Sequence, residues 1–342
     1  MINRLFILLI STGVVLYFCT STVTVGAQEL SQQAEEQLDF ANGLYGRGLY
    51  KMAVQEYQNF IDKFPESDLK DKAYFGMAES YFFMDDHEHA QEVYHIVLTN
   101  FPQSPLGHSA QLRIAQIHFA AKKYQEATET ISRVQFDQLD NKLRQTFLFY
   151  QGRILFELNQ FESAVASFEK AEQIKDSDEY TTQSLIYKGE AFAEAGKYDQ
   201  ALASFQQALK GKLNEEEKAR AQYKIGETQF IQGRYNEAAA SFKDFLSVFS
   251  QHPFKNQALA NLMSAYFNLE DFKAIEETFK EAAGRDPLVR LDHQIMYVLS
   301  NSYMRQLQLM KALEAINFAL EAKDISPDER IAALFKKVEI LI

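Results

Sequence analysis

Tryptophan is absent from this 342-residue chain, cysteine occurs once and proline six times. Each scarcity excludes something. The single thiol, Cys19, sits in an apolar leader, so the remainder can form neither a disulfide framework nor a thiolate metal site. Six Pro and 14 Gly leave little room for long loops or disorder. Clustered positive charge is missing too. A net charge of −12, a pI near 5.2 and no long Lys/Arg run argue against a nucleic-acid or anionic-membrane surface. No Gly-rich phosphate loop, His-Glu-x-x-His segment or Gly-x-Ser-x-Gly elbow occurs. We therefore expect no enzyme, no catalytic residue, no metal site and no cofactor.

One cluster tests that expectation. The stretch DDHEHAQEVYH, residues 85–95, holds three His, and Glu92 and His95 have the Glu-x-x-His spacing of di-metal bundles. Such sites need a second Glu-x-x-His on a facing helix, and the sequence has none. His87 also falls in a column that other copies fill with aromatics. A polar aromatic beside a solvated charge run is the reading we adopt.

The N-terminus carries an address. Arg4 precedes an apolar run, Leu5 to Cys19, and small residues lead to Val25-Gly26-Ala27. This pattern predicts a signal peptide, residues 1–27, cut after Ala27, and hence an exported, periplasmic or cell-envelope protein. The alternative is an inner-membrane anchor facing the periplasm, since no charge interrupts Leu5 to Ala27 and that length can span a bilayer. Phe18, directly before Cys19, argues against lipidation, which wants a small residue there.

What the chain has in abundance is rings, 17 Tyr and 28 Phe, and they recur. Stepping by 37 residues from Ala201 reaches Ala53, Ala90, Ala127, Ala164, Ala238, Ile275 and Ala312. Three residues earlier stand Tyr50, His87, Tyr124, Phe161, Tyr198, Tyr235, Phe272 and Leu309. Four residues later stand Tyr57, Tyr94, Ile131, Phe168, Phe205, Phe242, Phe279 and Ile316. Twelve residues before the Ala lies a mostly small column that includes Ala41, Ala78, Gly152, Gly189 and Gly226. A fixed period of this kind marks a solenoid, and the internal spacings place these columns on single helix faces. Two antiparallel helices per unit follow, with small residues at the crossing and rings around it. Gly48, Asp85, Asn159, Gly196 and Gly233 supply turns between them. All six prolines fall in the expected connections between units.

These columns resemble the tetratricopeptide repeat: small at position 8, aromatic at 11, Ala at 20, aromatic at 24, Pro at 32. The likeness covers eight units: 34–70, 71–107, 108–144, 145–181, 182–218, 219–255, 256–292 and 293–328. Residues 28–33 read as a short linker and 329–342 as a capping helix, its outer face wetted by Lys336, Lys337 and Glu339. The resemblance implies an all-α fold, a right-handed α-solenoid superhelix. The connectors FPES (64–67) and FPQS (101–104) are similar to those of outer-membrane barrel-assembly and Tol–Pal-associated envelope proteins.

Family resemblance also implies a concave groove lined by first helices through positions 2, 5, 9 and 12. Here position 12 includes Phe82, Phe119, Phe156, Phe230 and Phe267, and position 5 includes Phe75, Phe149 and Tyr223. Position 9 supplies Glu79, Arg153, Glu190 and Glu227. Rings flanking polar groups suit an extended or helical peptide. Positions 5 and 12 can equally be core between repeats, which would leave position 9 as the contact row. The expected function is a non-enzymatic scaffold holding a protein or peptide in that groove in the bacterial cell envelope. A membrane-anchored assembly subunit is the alternative and a metal-dependent enzyme a distant one. Nucleic acid is not an expected partner, and a membrane is one only through an uncleaved residue 1–27 segment.

Overall fold

The computed structural model describes residues 29–285, 292–323 and 325–342, so the leader and its cleavage point lie outside the described residues. Among these the secondary structure is all helical, with no strand. The first helix, α1, runs over 29–46. There follow α2 (Tyr50–Lys63), α3 (Lys70–Phe83), α4 (His87–Asn100), α5 (Gly107–Ala120) and α6 (Tyr124–Ser132). After a 3₁₀ turn at Phe136–Gln138 come α7 (Asn141–Glu157), α8 (Phe161–Ile174), α9 (Asp178–Glu194), α10 (Tyr198–Ala208) and α11 (Glu215–Ile231). The remainder are α12 (Tyr235–Val248), α13 (Lys255–Asn268), α14 (Phe272–Arg285), α15 (His293–Arg305), α16 (Leu309–Glu321) and α17 (Pro327–Leu341).

The chain divides into two compact units, Met1–Leu143 and Arg144–Ile342. In the first, consecutive helices from α2 to α6 pack pairwise. In the second, consecutive helices from α8 to α17 do the same, and the first helices α9, α11, α13 and α15 also touch one another in series. First helices thus form a layer of their own in that unit. This is the α-solenoid arrangement of stacked helix pairs.

The period is built into the backbone. Every second helix starts on the same register position: Tyr50, His87, Tyr124, Phe161, Tyr198, Tyr235, Phe272, Leu309. Just upstream, one residue per repeat adopts positive φ: Gly48, Asp85, Lys122, Asn159, Gly196, Gly233, Glu270 and Leu307. The N–H following each reaches back to the carbonyl five residues earlier at 2.8–3.0 Å, from Leu49 to Leu44 through Gln308 to Tyr303. Each first helix therefore closes in a Schellman motif, which satisfies its last carbonyls and turns the chain into the second helix.

At the crossing the small column meets the aromatic one. A Cβ added to Gly152, Gly189 or Gly226 would stand 2.5, 2.6 or 2.8 Å from the ring of Phe168, Phe205 or Phe242. Those rings are fully buried, as are Tyr57, Tyr94 and the Ala at position 20 in seven repeats. A buried Phe contributes roughly 1.5–3 kcal/mol over an exposed one, so the crossing is where each repeat gains its stability. Ile275, the exception in the Ala column, is buried as well.

The connections between units reuse one device. Ser67 and Ser104 Oγ accept the N–H of Leu69 and Leu106, and His252 Nδ1, at the equivalent position, accepts that of Phe254.

Three features depart from the sequence reading. Residues 29–33, within the expected linker, are already helical. At the other end, Pro327 is the first residue of α17 rather than connector, where its missing N–H costs nothing, and Ser326 and Glu329 form a capping box. The face of α17 that meets solvent is also not the expected charged one. Ile331, Leu334, Phe335, Val338, Leu341 and Ile342 are exposed, while Ala333 and Ile340 turn inward.

Candidate functional site

The inner residues of each repeat separate into three roles. Position 5 is mostly core: Phe149 and Tyr223 are buried, Phe75 partly so, and each packs on its own repeat's position-24 ring at 5.8–6.2 Å. Position 12 closes the turn. Tyr45, Phe82, Phe119, Phe156, Phe230 and Phe267 each lie 5.4–6.1 Å from the ring that opens the following helix. These rings staple the two helices of one repeat and remain partly exposed. Position 9 is polar, and its members differ sharply from one another.

In the first unit Glu79 on α3 is buried. Arg113 on α5 donates to it through Nε at 2.7 Å and Nη2 at 2.8 Å, while Tyr94 donates from α4 and Tyr45 from α1 at 3.4 Å. Nη1 of Arg113 reaches Gln116 at 3.0 Å, and the guanidinium lies 4.6 Å from the Phe82 ring centroid. Burial and the adjacent Glu79 charge push the Tyr45 phenol up to about 12 and Tyr94 higher still. Burial alone would lower Arg113, but the Glu79 hydrogen bonds and charge hold it above its ordinary value. A bidentate pair with its remaining lone pairs satisfied is a fixed cross-brace between neighbouring repeats.

The second unit repeats the device. Glu190 on α9 is buried and accepts from Arg220 on α11 through Nε at 2.7 Å and Nη2 at 2.6 Å. Nη1 of Arg220 donates to the Tyr187 hydroxyl at 2.9 Å, and the guanidinium groups of Arg220 and Arg153 lie 4.5 and 4.0 Å from that ring's centroid. One turn on, Lys224 pairs with Glu227 at 2.5 Å and Asn261 donates to the Tyr223 hydroxyl at 2.9 Å.

Beside these pairs, two clefts open on the first-helix layer of the second unit. One is lined by Phe156, Glu190, Tyr198, Arg220, Lys224 and Glu227. The other is lined by Glu227, Asn261, Ser264, Gln294, Tyr297 and, from α17, Glu329. Glu227 belongs to both. The capping hydrogen bonds from Ser326, then that from His293, hold Glu329 down to about 2. Of the sequence-predicted residues, Phe156, Glu190 and Glu227 are brought to one cleft. Phe149 and Tyr223 lie in the core, and Arg153 beside Tyr187. Phe230 and Phe267 sit at their turns. Phe75, Glu79, Phe82 and Phe119 belong to the first unit.

Sequence reasoning missed position 6. That column contains Arg113, Tyr187, Lys224 and Asn261, every one of which joins the inner polar layer. Sequence reasoning also missed Arg220, at position 2 of its repeat, and the signal in both cases was an Arg, Lys or Asn on a first helix one to two turns before position 9.

The His-rich stretch folds as a helix start. Asp86 caps α4, and its carboxylate takes the His89 ring at 2.8 Å, which raises His89 and lowers Asp86. Among the described residues no group of three or more His, Cys, Asp or Glu side chains converges as a ligand set.

Family comparison agrees with this architecture. Residues 5–185 match the model of a tetratricopeptide repeat-like domain and residues 188–254 that of a tetratricopeptide repeat. The chain belongs to the tetratricopeptide repeat family. Its helix-pair array is similar to solved structures of the same kind. A tetratricopeptide repeat protein of Parabacteroides merdae aligns with TM-score 0.53 and 16% identity, covering 78% of this chain and 98% of that one. The C-terminal part of a TPR repeat-containing protein of Cytophaga hutchinsonii gives 0.56 and 16%, covering 76% and 99%. Pseudomonas aeruginosa pilF gives 0.53 and 14%, covering 67% and 97%. At such identities the likeness is one of fold. No curated protein matches the sequence.

Proposed function

We propose that this tetratricopeptide array is a non-enzymatic scaffold that seats a peptide segment of a partner protein along the first-helix layer of its second unit. The observation that carries the reading is the pair of adjoining clefts that share Glu227. Their charges are internally paired, Arg220 with Glu190 and Lys224 with Glu227. What they offer a ligand is amide and hydroxyl groups beside rings: Asn261, Ser264, Gln294, Tyr297 and Phe156. Such a lining suits main-chain hydrogen bonding with apolar side-chain contacts, and a preformed wall keeps the ordering cost low. Of the expected position-9 glutamates, Glu79 and Glu190 are left out because each is buried and saturated by an arginine. Glu227 is kept because it and its partner Lys224 stay part-exposed, and Asn261 is added beside them.

A photo-crosslinker at Ser264 should capture a specific protein in the native host. One at Gln206, exposed on a second helix, should not, and Lys224→Glu with Glu227→Lys should cut the Ser264 product at least fivefold. Equal capture from both positions would sink the assignment.

The site of action we propose is the cell envelope, on the strength of the leader ending Val25-Gly26-Ala27. The anchored alternative draws support from the family match, which begins at residue 5 and so includes most of that leader. N-terminal sequencing of the native protein separates the two.

A further inference from the structure

We propose that α17 is a self-association element, through which two copies of this chain pair by their exposed apolar faces. Its stripe Ile331, Leu334, Phe335, Val338, Leu341, Ile342 follows helical spacing without a break, and Phe335 is 73% exposed and Ile342 fully so. The residues that hold α17 against α16 and the array, Ala333 and Ile340, occupy a different face. In the body of the second unit each first helix is flanked by the next, α9 by α11, α11 by α13 and α13 by α15. On α17 the corresponding side carries large apolar groups facing solvent.

The occupant is argued from size and charge. The stripe is centred between Lys336 and Lys337, so an antiparallel partner related by a two-fold axis there would set Phe335 against Val338 and Ile331 against Ile342. Six side chains of this kind from each copy bury on the order of 1,200–1,400 Å² in total, inside the range of specific stable interfaces and above incidental contacts. Charge agrees. The helix carries Asp328, Glu329 and Glu339 against Arg330, Lys336 and Lys337, a balance of zero within a chain of net charge −12. Two copies therefore meet here without the repulsion expected elsewhere on the surface. An anionic membrane would favour a basic polar face instead, and Lys336 is already paired with Glu339 at 2.5 Å.

Sedimentation equilibrium of the full chain, from about 0.1 to 100 μM, should give a monomer–dimer equilibrium, as expected for an interface of standard size. Phe335→Glu with Val338→Glu should raise the dimer dissociation constant at least 30-fold. The melting temperature measured under monomeric conditions should stay within about 2 °C, because neither side chain is buried in one copy. If that pair unfolds the protein, Leu334→Gln with Leu341→Gln repeats the test with smaller change. Unfolding of both variants would overturn the proposal by showing the face to be core. A wild type monomeric throughout, or a dimer the folded variant leaves intact, would overturn it as well. Wild-type flotation with phosphatidylglycerol vesicles, lost in the variant while the protein stays monomeric, would assign the face to lipid and equally overturn pairing.

Discussion

Glu79 and Arg113 are separated by 34 residues in sequence and joined by two hydrogen bonds of 2.7 and 2.8 Å in the fold. Removing one partner strands the other where water reaches it poorly. Glu79→Ala is expected to cost about 2–4 kcal/mol, somewhat under the value for a fully buried pair because Arg113 is partly exposed. The double change Glu79→Leu with Arg113→Met should cost less than Glu79→Ala alone. Urea denaturation of these variants, with Glu79→Leu and Arg113→Met measured singly to close the cycle, decides the matter, and a coupling below about 0.5 kcal/mol would mean that the pair is no brace. At this scale the sequence was legible in kind but not in direction. Position 9 reads as polar from spacing alone. Whether Glu79 faces a ligand or the next helix depends on the register between neighbouring first helices, and nothing in one helix's periodicity encodes that register. Opposed charges on successive first helices, at positions 9 and 6 for Glu79 and Arg113 and at positions 9 and 2 for Glu190 and Arg220, were the available clue.

Helices and turns divide differently. The starts of all eight second helices coincide with the mostly aromatic column three residues before the Ala column, so those starts can be read to the residue from the repeat. The turn residues were readable only where glycine, Asp or Asn advertised them. Lys122, Glu270 and Leu307 take the same left-handed conformation with no such signature, since the Schellman bonds of the preceding helix impose it. For an L-residue that conformation costs about 1–2 kcal/mol, part of which a glycine returns through greater freedom in the unfolded chain. Leu307→Gly should thus stabilise the protein by about 0.5–1 kcal/mol, the more so as the Leu307 side chain is 83% exposed and packs little. A melting temperature unchanged or lowered would show that the turn is not strained. The converse applies at Gly189, where the Phe205 ring occupies the space a methyl needs. There Gly189→Ala should cost about 1–3 kcal/mol in the same melt, and Phe205→Leu in that background should recover part of it. Helix α17 was legible as a helix, but the sequence alone did not reveal which of its faces the array would cover.

At the level of the whole molecule, repetition makes stability local. Each repeat has its own crossing and turn, six of the eight have a ring staple as well, and neighbours are coupled mainly through adjacent faces. Phe60 is fully buried in the first unit and belongs to a core separate from that of α11–α17. Phe60→Ala should cost roughly 3–5 kcal/mol there. Hydrogen exchange should accelerate strongly in α2–α5, while amides of α13–α16 keep their protection within about tenfold. A uniform loss across the chain would contradict this picture. The repeating staple between positions 12 and 17 has a mechanical consequence. Because each helix pair is closed by its own turn, and six of the eight by their own rings, rather than by a distant segment, a pull on the chain would release the pairs separately. The protein would give way in increments of nearly equal length, absorbing load as a ductile tether does rather than snapping as a single fold.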